Sequence, residues 1–501
     1  MSFDDKLDKL RANTQEIITL NGISALLGWD QQVNMPVAAA EERGQQLALL
    51  GGLIYDKTTS QENGELLSDL EAELKNSSDE DLKAEVNLIR RQYNQLTRIP
   101  KALNLELIRA TTISHGAWAK AKAENDFASF EPHLTHLVEL IRQVADCFGP
   151  NDHPYDALLE TYDPGLKTAE VQAIFGGLRE RQVALVRAIS EAQQVDDSFR
   201  WRTYDVSMQR KLNPILASRL GYDWQRGRLD ESAHPFTTGF GLDDVRITTH
   251  YSSADALSSV FSTLHETGHA LYEQGLNRKQ QGTVLASTLS SSLHESQSRL
   301  WENMVGRSRQ FWKFFYPTLQ AFFPENLAEV NLDTFYRGIN KVTSSFIRTE
   351  ADEATYNLHI MLRMELEIGL LSGELKASEL PELWREKMRE YLGVTPPDDT
   401  RGVLQDVHWS GAMFGYFPTY ALGNLISAQL WHKLLAEHPE IPEEMANGEL
   451  STILNWLREN VHQYGSRYTA AELVRKVTGT GISPDPYLDY LTAKYSDIYR
   501  L

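Results

Sequence analysis

Residues 264–271 read Leu-His-Glu-Thr-Gly-His-Ala-Leu, a His-Glu-x-x-His pattern in an apolar, helix-compatible stretch. In a helix, His265 and His269 stand at i and i+4, one turn apart on the same face, so both imidazoles reach a single ion. Glu266 lies on the neighbouring face. Two imidazoles on one ion with a carboxylate beside it is the arrangement of a zinc hydrolase, in which the carboxylate takes a proton from an activated water. A catalytic zinc typically takes three protein ligands and keeps one position open, so another part of the chain has to fold against this helix.

The third ligand is sought downstream. The metzincin continuation is absent, because Tyr272 and Gly275 stand where that pattern has Gly and His. Two carboxylates remain: Glu273, and Glu295 within His294-Glu295-Ser296-Gln297-Ser298-Arg299. Glu273 would string three ligands over two turns, about 11 Å, too far for bonds of about 2 Å to one ion. Glu295 on a separate helix approaches from the side and closes a His2Glu set. Hydrolysis of a carbonyl also needs a donor facing the developing oxyanion, and His408, Tyr416 and Tyr420 are candidates. An enzyme trimming the C-terminal end of a peptide needs a guanidinium for the free carboxylate. Arg246, Arg299 and Arg348 are available, and each also reads as an ordinary ion-pair partner.

Periodicity sets the rest of the fold. Leu7, Leu10, Ile17 and Leu20 fall at helical spacing, as do Leu82, Val86, Ile89 and Tyr93, so the chain to about Gly149 reads as successive amphipathic helices. Gly28 to Pro36 reads as the connection between the first two helices, with Pro36 opening the second and Trp29 as a packed corner or a cleft lining. Asn151 to Gly165 is rich in Pro, Asp and Gly and marks a subdomain boundary. Within one catalytic unit, 1–501, this gives an N-terminal helical subdomain, 1–150, forming one cleft wall, and a catalytic subdomain, 151–501. A long helix follows from about Thr168 to Gln194, and Gly221 to Gly241 reads as a loop containing His234-Pro235-Phe236. From Asp244 to Tyr251 the period changes to two, with Val245, Ile247, Thr249 and Tyr251 alternating with polar residues, which predicts a strand. Its edge offers a place for an extended peptide to pair; the alternative is a short structural ribbon. Helix signals return after Ser252, with breaks near Pro324, Pro381, Pro396-Pro397 and Pro439. The expected fold is mainly α with a small β component.

The formal net charge of -20, with no Lys/Arg block, disfavours nucleic acid and anionic membrane partners. Met1 to Thr14 lacks the apolar core of a signal peptide, and no apolar run approaches the length of a membrane span. Cys147 is the single cysteine, so no intrachain disulfide forms. A cytoplasmic location is expected.

The chain resembles the carboxypeptidase Taq family (M32) of metallocarboxypeptidases. The resemblance rests on six ordered blocks: His234-Pro235-Phe236, Asp244 to Thr248, His265 to His269, His294 to Arg299, Ile347 to Asp352, and Gly402 to Trp409. It implies a large helical zinc-peptidase fold with a deep central cleft and a small β-ribbon or sheet next to the His-Glu-x-x-His helix. It implies His265, His269 and Glu295 as metal ligands and Glu266 as general base and acid. Arg348 is implied as the binder of the terminal carboxylate, with His234, Arg246, Gln405 and His408 lining the cleft and Tyr420 stabilising the oxyanion. Zinc is the implied ion with cobalt as a substitute, peptides are the substrates, and the assembly is a homodimer. Val33, Ala354 and Asn357 depart from the family's commoner residues, and none is a proposed ligand. An oligoendopeptidase of similar helical fold and a non-catalytic helical peptide-binding protein are the alternative readings.

Overall fold

The computed structural model describes residues 1–149 and 152–501. Its N-terminal stretch runs through α1 (Phe3–Val33), α2 (Ala40–Thr58), α3 (Gln61–Leu74), α4 (Glu80–Thr97), α5 (Lys101–Glu124) and α6 (Phe127–Asp146). The periodic leucines do what their spacing predicts. Leu7 and Leu10 of α1 meet Leu66, Leu67 and Leu70 of α3 and Val86 and Ile89 of α4 in a small core, to which Val284 adds from far along the chain. The much larger main core takes in α6 through Phe130, Leu134 and Ile141 and extends to Tyr499.

The expected connection from Gly28 to Pro36 is a correction. α1 continues through Gly28 to Val33, leaving a short link at Asn34, Met35 and Pro36. A glycine inside a helix costs only about 1 kcal/mol relative to alanine. Against that stands the burial of Trp29, which is 4% exposed. Pro36 precedes a 3₁₀ turn, Val37–Ala39, and α2 starts only after it. Pro381 likewise begins a helix, Leu380–Leu392, within its first turn, where its missing N–H is not needed.

Asn151, the first residue of the expected turn-rich connection, lies outside the described residues. Beyond it come α7 (Tyr155–Tyr162), α8 (Thr168–Glu191) and α9 (Val206–Leu220). The predicted long helix is therefore present, ending three residues earlier than expected.

The region read as a loop from Gly221 to Gly241 contains two strands, β1 (Leu229–Glu231) and β2 (Thr237–Gly241). Both are too short for alternation to register against their glycines and turn residues. They flank β3 (Asp244–Thr249), the predicted strand, in the order β1-β3-β2. β1 runs parallel to β3, with Leu229 opposite Ile247, and β2 runs antiparallel, with Thr237 opposite the same residue. β3 is thus central and has no free edge, which overturns the expectation that it pairs with a peptide. The edge near the site belongs to β2. Among the described residues no helix is long and apolar enough to cross a membrane.

Candidate metal centre

The motif lies on α10 (Ala256–Gln274), whose N-terminus is capped by Asp255 accepting from the Leu257 N–H. α10 is buried on nearly every face, with the polar Ser259, Thr263, Glu266, Thr267 and Gln274 among its buried residues. Gly268 lets the next helix cross it closely: a Cβ there would lie 2.7 Å from Ser298 Cα and 2.8 Å from Gln297 O. That helix, α11 (Ser291–Arg299), carries Glu295. Its first turn is held by Asp163, which accepts from Ser292 N at 3.1 Å and Ser292 Oγ at 2.5 Å.

The crossing brings three ligand atoms together. Glu295 Oε2 is 3.4 Å from His269 Nε2 and 3.8 Å from His265 Nε2, and the three residues offer donor atoms within 4.8 Å of one another. Two imidazoles and a carboxylate are the donor chemistry zinc prefers. The electrostatics fit a cation too. Burial opposes charge at His265, but Glu295, Glu302 and Glu266 outweigh it and raise its pKa, so the site is built to hold positive charge. His269 is pushed down to about 3, first by burial and then by His294, and is a neutral ligand near pH 7. Glu273 is not in the cluster; its carboxylate accepts from His294.

Sequence reasoning missed Glu302 and Thr237. Glu302 Oε2 is 2.9 Å from His265 Nδ1 and fixes that ring through its outer nitrogen. It sits in a π-helical segment, Leu300–Val305, that continues α11. Its signal was present: Glu295, Arg299 and Glu302 fall at i, i+4 and i+7, a charged stripe along one face of α11 and its continuation. Arg299 bonds Glu295 Oε1 through Nε at 2.6 Å and approaches Glu302 at 3.3 Å, so this arginine serves the ligand shell. Thr237 opens β2 and donates to Glu266 Oε2 at 2.7 Å. Burial raises the Glu266 pKa, which suits a carboxylate that takes up a proton. No sequence pattern pointed to Thr237.

A second charged cluster surrounds Arg348, which is 6% exposed. Its Nε and Nη2 donate to Asp406 Oδ1 at 3.0 and 2.9 Å, and its Nη1 donates to Tyr356 Oη at 2.9 Å. A guanidinium has five N–H donors, and among the described residues these hydrogen bonds use three of them. Asp406 also accepts from Arg363 Nε at 2.7 Å. Burial opposes its ionisation, yet Arg363 and Arg348 hold the carboxyl well below the usual range. Gln405 accepts from Arg348 N and Arg363 Nη2 and donates to the Phe346, Arg401 and Gly402 carbonyls. Neither Asp406 nor Arg363 was singled out in the sequence.

The remaining candidates take up distinct places. His234 is exposed, and its pKa is lowered by local desolvation and then by the charges of Arg348 and His265. Arg246 forms a paired contact with Asp244 and lies over Trp29 and Phe240, at 4.4 and 4.9 Å from their ring centroids. His408 is pushed down to about 4 by burial, in spite of Asp406, and its Nε2 is 3.5 Å from Tyr420 Oη. Burial keeps the Tyr416 and Tyr420 phenols protonated, and the Glu295 charge raises both further.

The loop joining His408 to Tyr416 is pinned by Glu367, a buried carboxylate that accepts from Tyr155 Oη, Trp409 Nε1 and Gly415 N. Burial pushes its pKa from 4.5 up to about 7. The folded state therefore favours the protonated form, and this stabilisation is complete below about pH 4.5 and lost as pH rises through about 7. Relative to Glu367→Gln, the wild-type Tm is expected to fall between pH 5 and pH 8. An unchanged difference between the two proteins would contradict this.

The family described as carboxypeptidase Taq (M32) metallopeptidase matches residues 9–495. The chain is 41% identical to thermostable carboxypeptidase 1 of Thermus thermophilus, with 97% of each chain covered. It is 38% identical to carboxypeptidase 1 of Bacillus subtilis, with 95% of each covered. Its fold is similar to the crystal structure of an M32 carboxypeptidase from Deinococcus radiodurans R1, with a TM-score of 0.96 and 38% identity over 99% of this chain and 100% of that one.

Proposed function

Because this chain belongs to the carboxypeptidase Taq (M32) metallopeptidase family and is a zinc-dependent metallocarboxypeptidase, we propose the following division of labour among its residues. His265, His269 and Glu295 hold the ion. Zinc bound there supplies Lewis acidity toward the peptide carbonyl and an acidified water. Glu266, oriented by Thr237, takes the proton as the water attacks and passes it to the departing amine. Tyr420 and neutral His408 donate to the oxyanion. Arg348 receives the terminal carboxylate through its two unused N–H donors, with His234 beside it, while Gln405 and Asp406 hold the guanidinium in place.

This assignment gives the substrate a direction. His234 lies three residues before Thr237, where β2 begins beside Glu266, and the strand ends at Gly241. A peptide with its carboxylate at Arg348 and its scissile bond at the metal centre then runs antiparallel to β2, its N-terminal part toward Gly241. There a cavity of about 490 Å³ lies between β2 and the N-terminal helices, lined among others by Ile18, Gly22, Tyr93, Gly239 and Phe240. In this reading α1, α3 and α4 form one wall of the substrate cleft, and Arg246 supports it through Phe240.

The observation that carries the proposal is the cluster of His265, His269 and Glu295 with the tethered carboxylate of Glu266 beside it. Mass analysis of products from a peptide set, as free acids and as C-terminal amides, with and without chelator, tests it. Stepwise loss of C-terminal residues, far faster from the acids than from the amides and abolished by chelator, is expected; equal cleavage of the amides favours an oligoendopeptidase. Glu295→Ala is expected to lose stoichiometric zinc at micromolar metal, and unchanged zinc content would remove it from the ligand set.

A further inference from the structure

We propose that Glu273 is a positioning residue for the metal ligand His269, acting through the ring of His294. His269 turns Nε2 toward Glu295 and Nδ1 away, to 2.5 Å from His294 Nδ1. The two rings are 4.5 Å apart between centroids and tilted by 32°. At the far side, His294 Nε2 is 3.2 Å from Glu273 Oε1.

Two imidazole nitrogens this close share one proton, so one donates and the other accepts. When the His269 Nε2 lone pair is given to an ion, the neutral ring carries its proton on Nδ1 and donates it to His294 Nδ1. The His294 proton is then on Nε2 and is donated to Glu273. A single tautomeric arrangement satisfies all three side chains, and it fixes the plane of the His269 ring. His265 receives the same service directly from Glu302 at 2.9 Å. The two ligands are thus supported unequally, one by an adjacent carboxylate and the other by a carboxylate one ring removed.

Strand β2 sets where that carboxylate stands. A Cβ on Gly239 would lie 2.0 Å from Glu273 Oε2, so a side chain there would push the carboxylate from its place. Through Thr237 the same strand holds Glu266. The general base and the second metal ligand are therefore both referenced to one strand, five residues long.

The test uses zinc alone as the probe, with affinity measured on the apoprotein by competition against a chelator. Glu273→Ala is expected to weaken zinc binding by about 10- to 100-fold, the usual effect of removing an outer partner of a ligating histidine. Glu273→Gln keeps an acceptor for His294 and is expected to recover part of the loss. Gly239→Ala, which alters no charge, is expected to follow Glu273→Ala. Should it fail to fold, the Ala and Gln pair at Glu273 decides alone. A purely structural role predicts a lower Tm with zinc affinity unchanged, and a folded Glu273→Ala protein with wild-type affinity would overturn the relay. The proposal rests on His265, His269 and Glu295 holding the ion. Wild-type protein without stoichiometric zinc would overturn that assignment, whereas equal affinity in wild type and variant overturns only the relay.

Discussion

Glu266→Gln is expected to bind zinc at wild-type stoichiometry and to lower kcat by about 100- to 10,000-fold, the range that a positioned general base contributes. Glutamine preserves the shape of the side chain and leaves an amide oxygen to accept from Thr237 Oγ1, now 2.7 Å from Glu266 Oε2. What it removes is the ability to take up and release a proton. Burial already raises the Glu266 pKa, so the wild-type carboxylate is a better base than an exposed one. Because the ligands are elsewhere, metal content and catalysis separate in this variant. Zinc analysis alongside single-turnover kinetics reads both, and a rate near wild type would require another base.

The second large effect concerns direction of cleavage. Arg348→Gln is expected to lower kcat/KM on free-acid peptides by about 30-fold or more, since truncating one partner of a buried, hydrogen-bonded charge pair costs about 2–5 kcal/mol. Amidated peptides lack the terminal charge that the proposed role of Arg348 requires, so their slow hydrolysis is expected to change little. The ratio of the two rates, rather than either alone, is the measurement. A structural disturbance would lower both, because Asp406 loses one of its two guanidinium partners while keeping Arg363. Retention of the wild-type ratio in a zinc-loaded, folded variant would move carboxylate recognition to another residue, with His234 the next to test.

Much of the helical frame is legible in the chain because its signals are local. The apolar spacing from Leu7 to Leu10 and from Leu82 to Ile89 marks faces that bury, and the residues at 265, 266 and 269 are fixed relative to one another by one turn of helix. Rejecting Glu273 as a ligand needed only the rise of a helix, and it stands outside the ligand cluster. The errors occurred where local signals are weak or are overridden. Gly28 read as a break, yet the buried Trp29 beside it keeps α1 intact. β1 and β2 are three and five residues long and rich in polar and glycine positions, so their pairing with β3 depends on partners far away in sequence.

What the sequence by itself determined is the chemistry: a His-Glu-x-x-His helix, a later glutamate able to complete the ligand set, and arginines able to bind a carboxylate. What only the tertiary structure decided is how those groups are held. β3 became the centre of the sheet and β2 its site-facing edge, Arg299 went to the ligand shell, and Arg348 was tethered to Asp406 and Tyr356. Glu302, Thr237, Asp406 and the His294–Glu273 pair entered as supports. The reason is physical. Residue type and spacing mark the histidines and the general base on one helix, whereas His265, Glu266, His269 and Arg348 are oriented by residues 25 to 58 positions away, which only packing brings within reach.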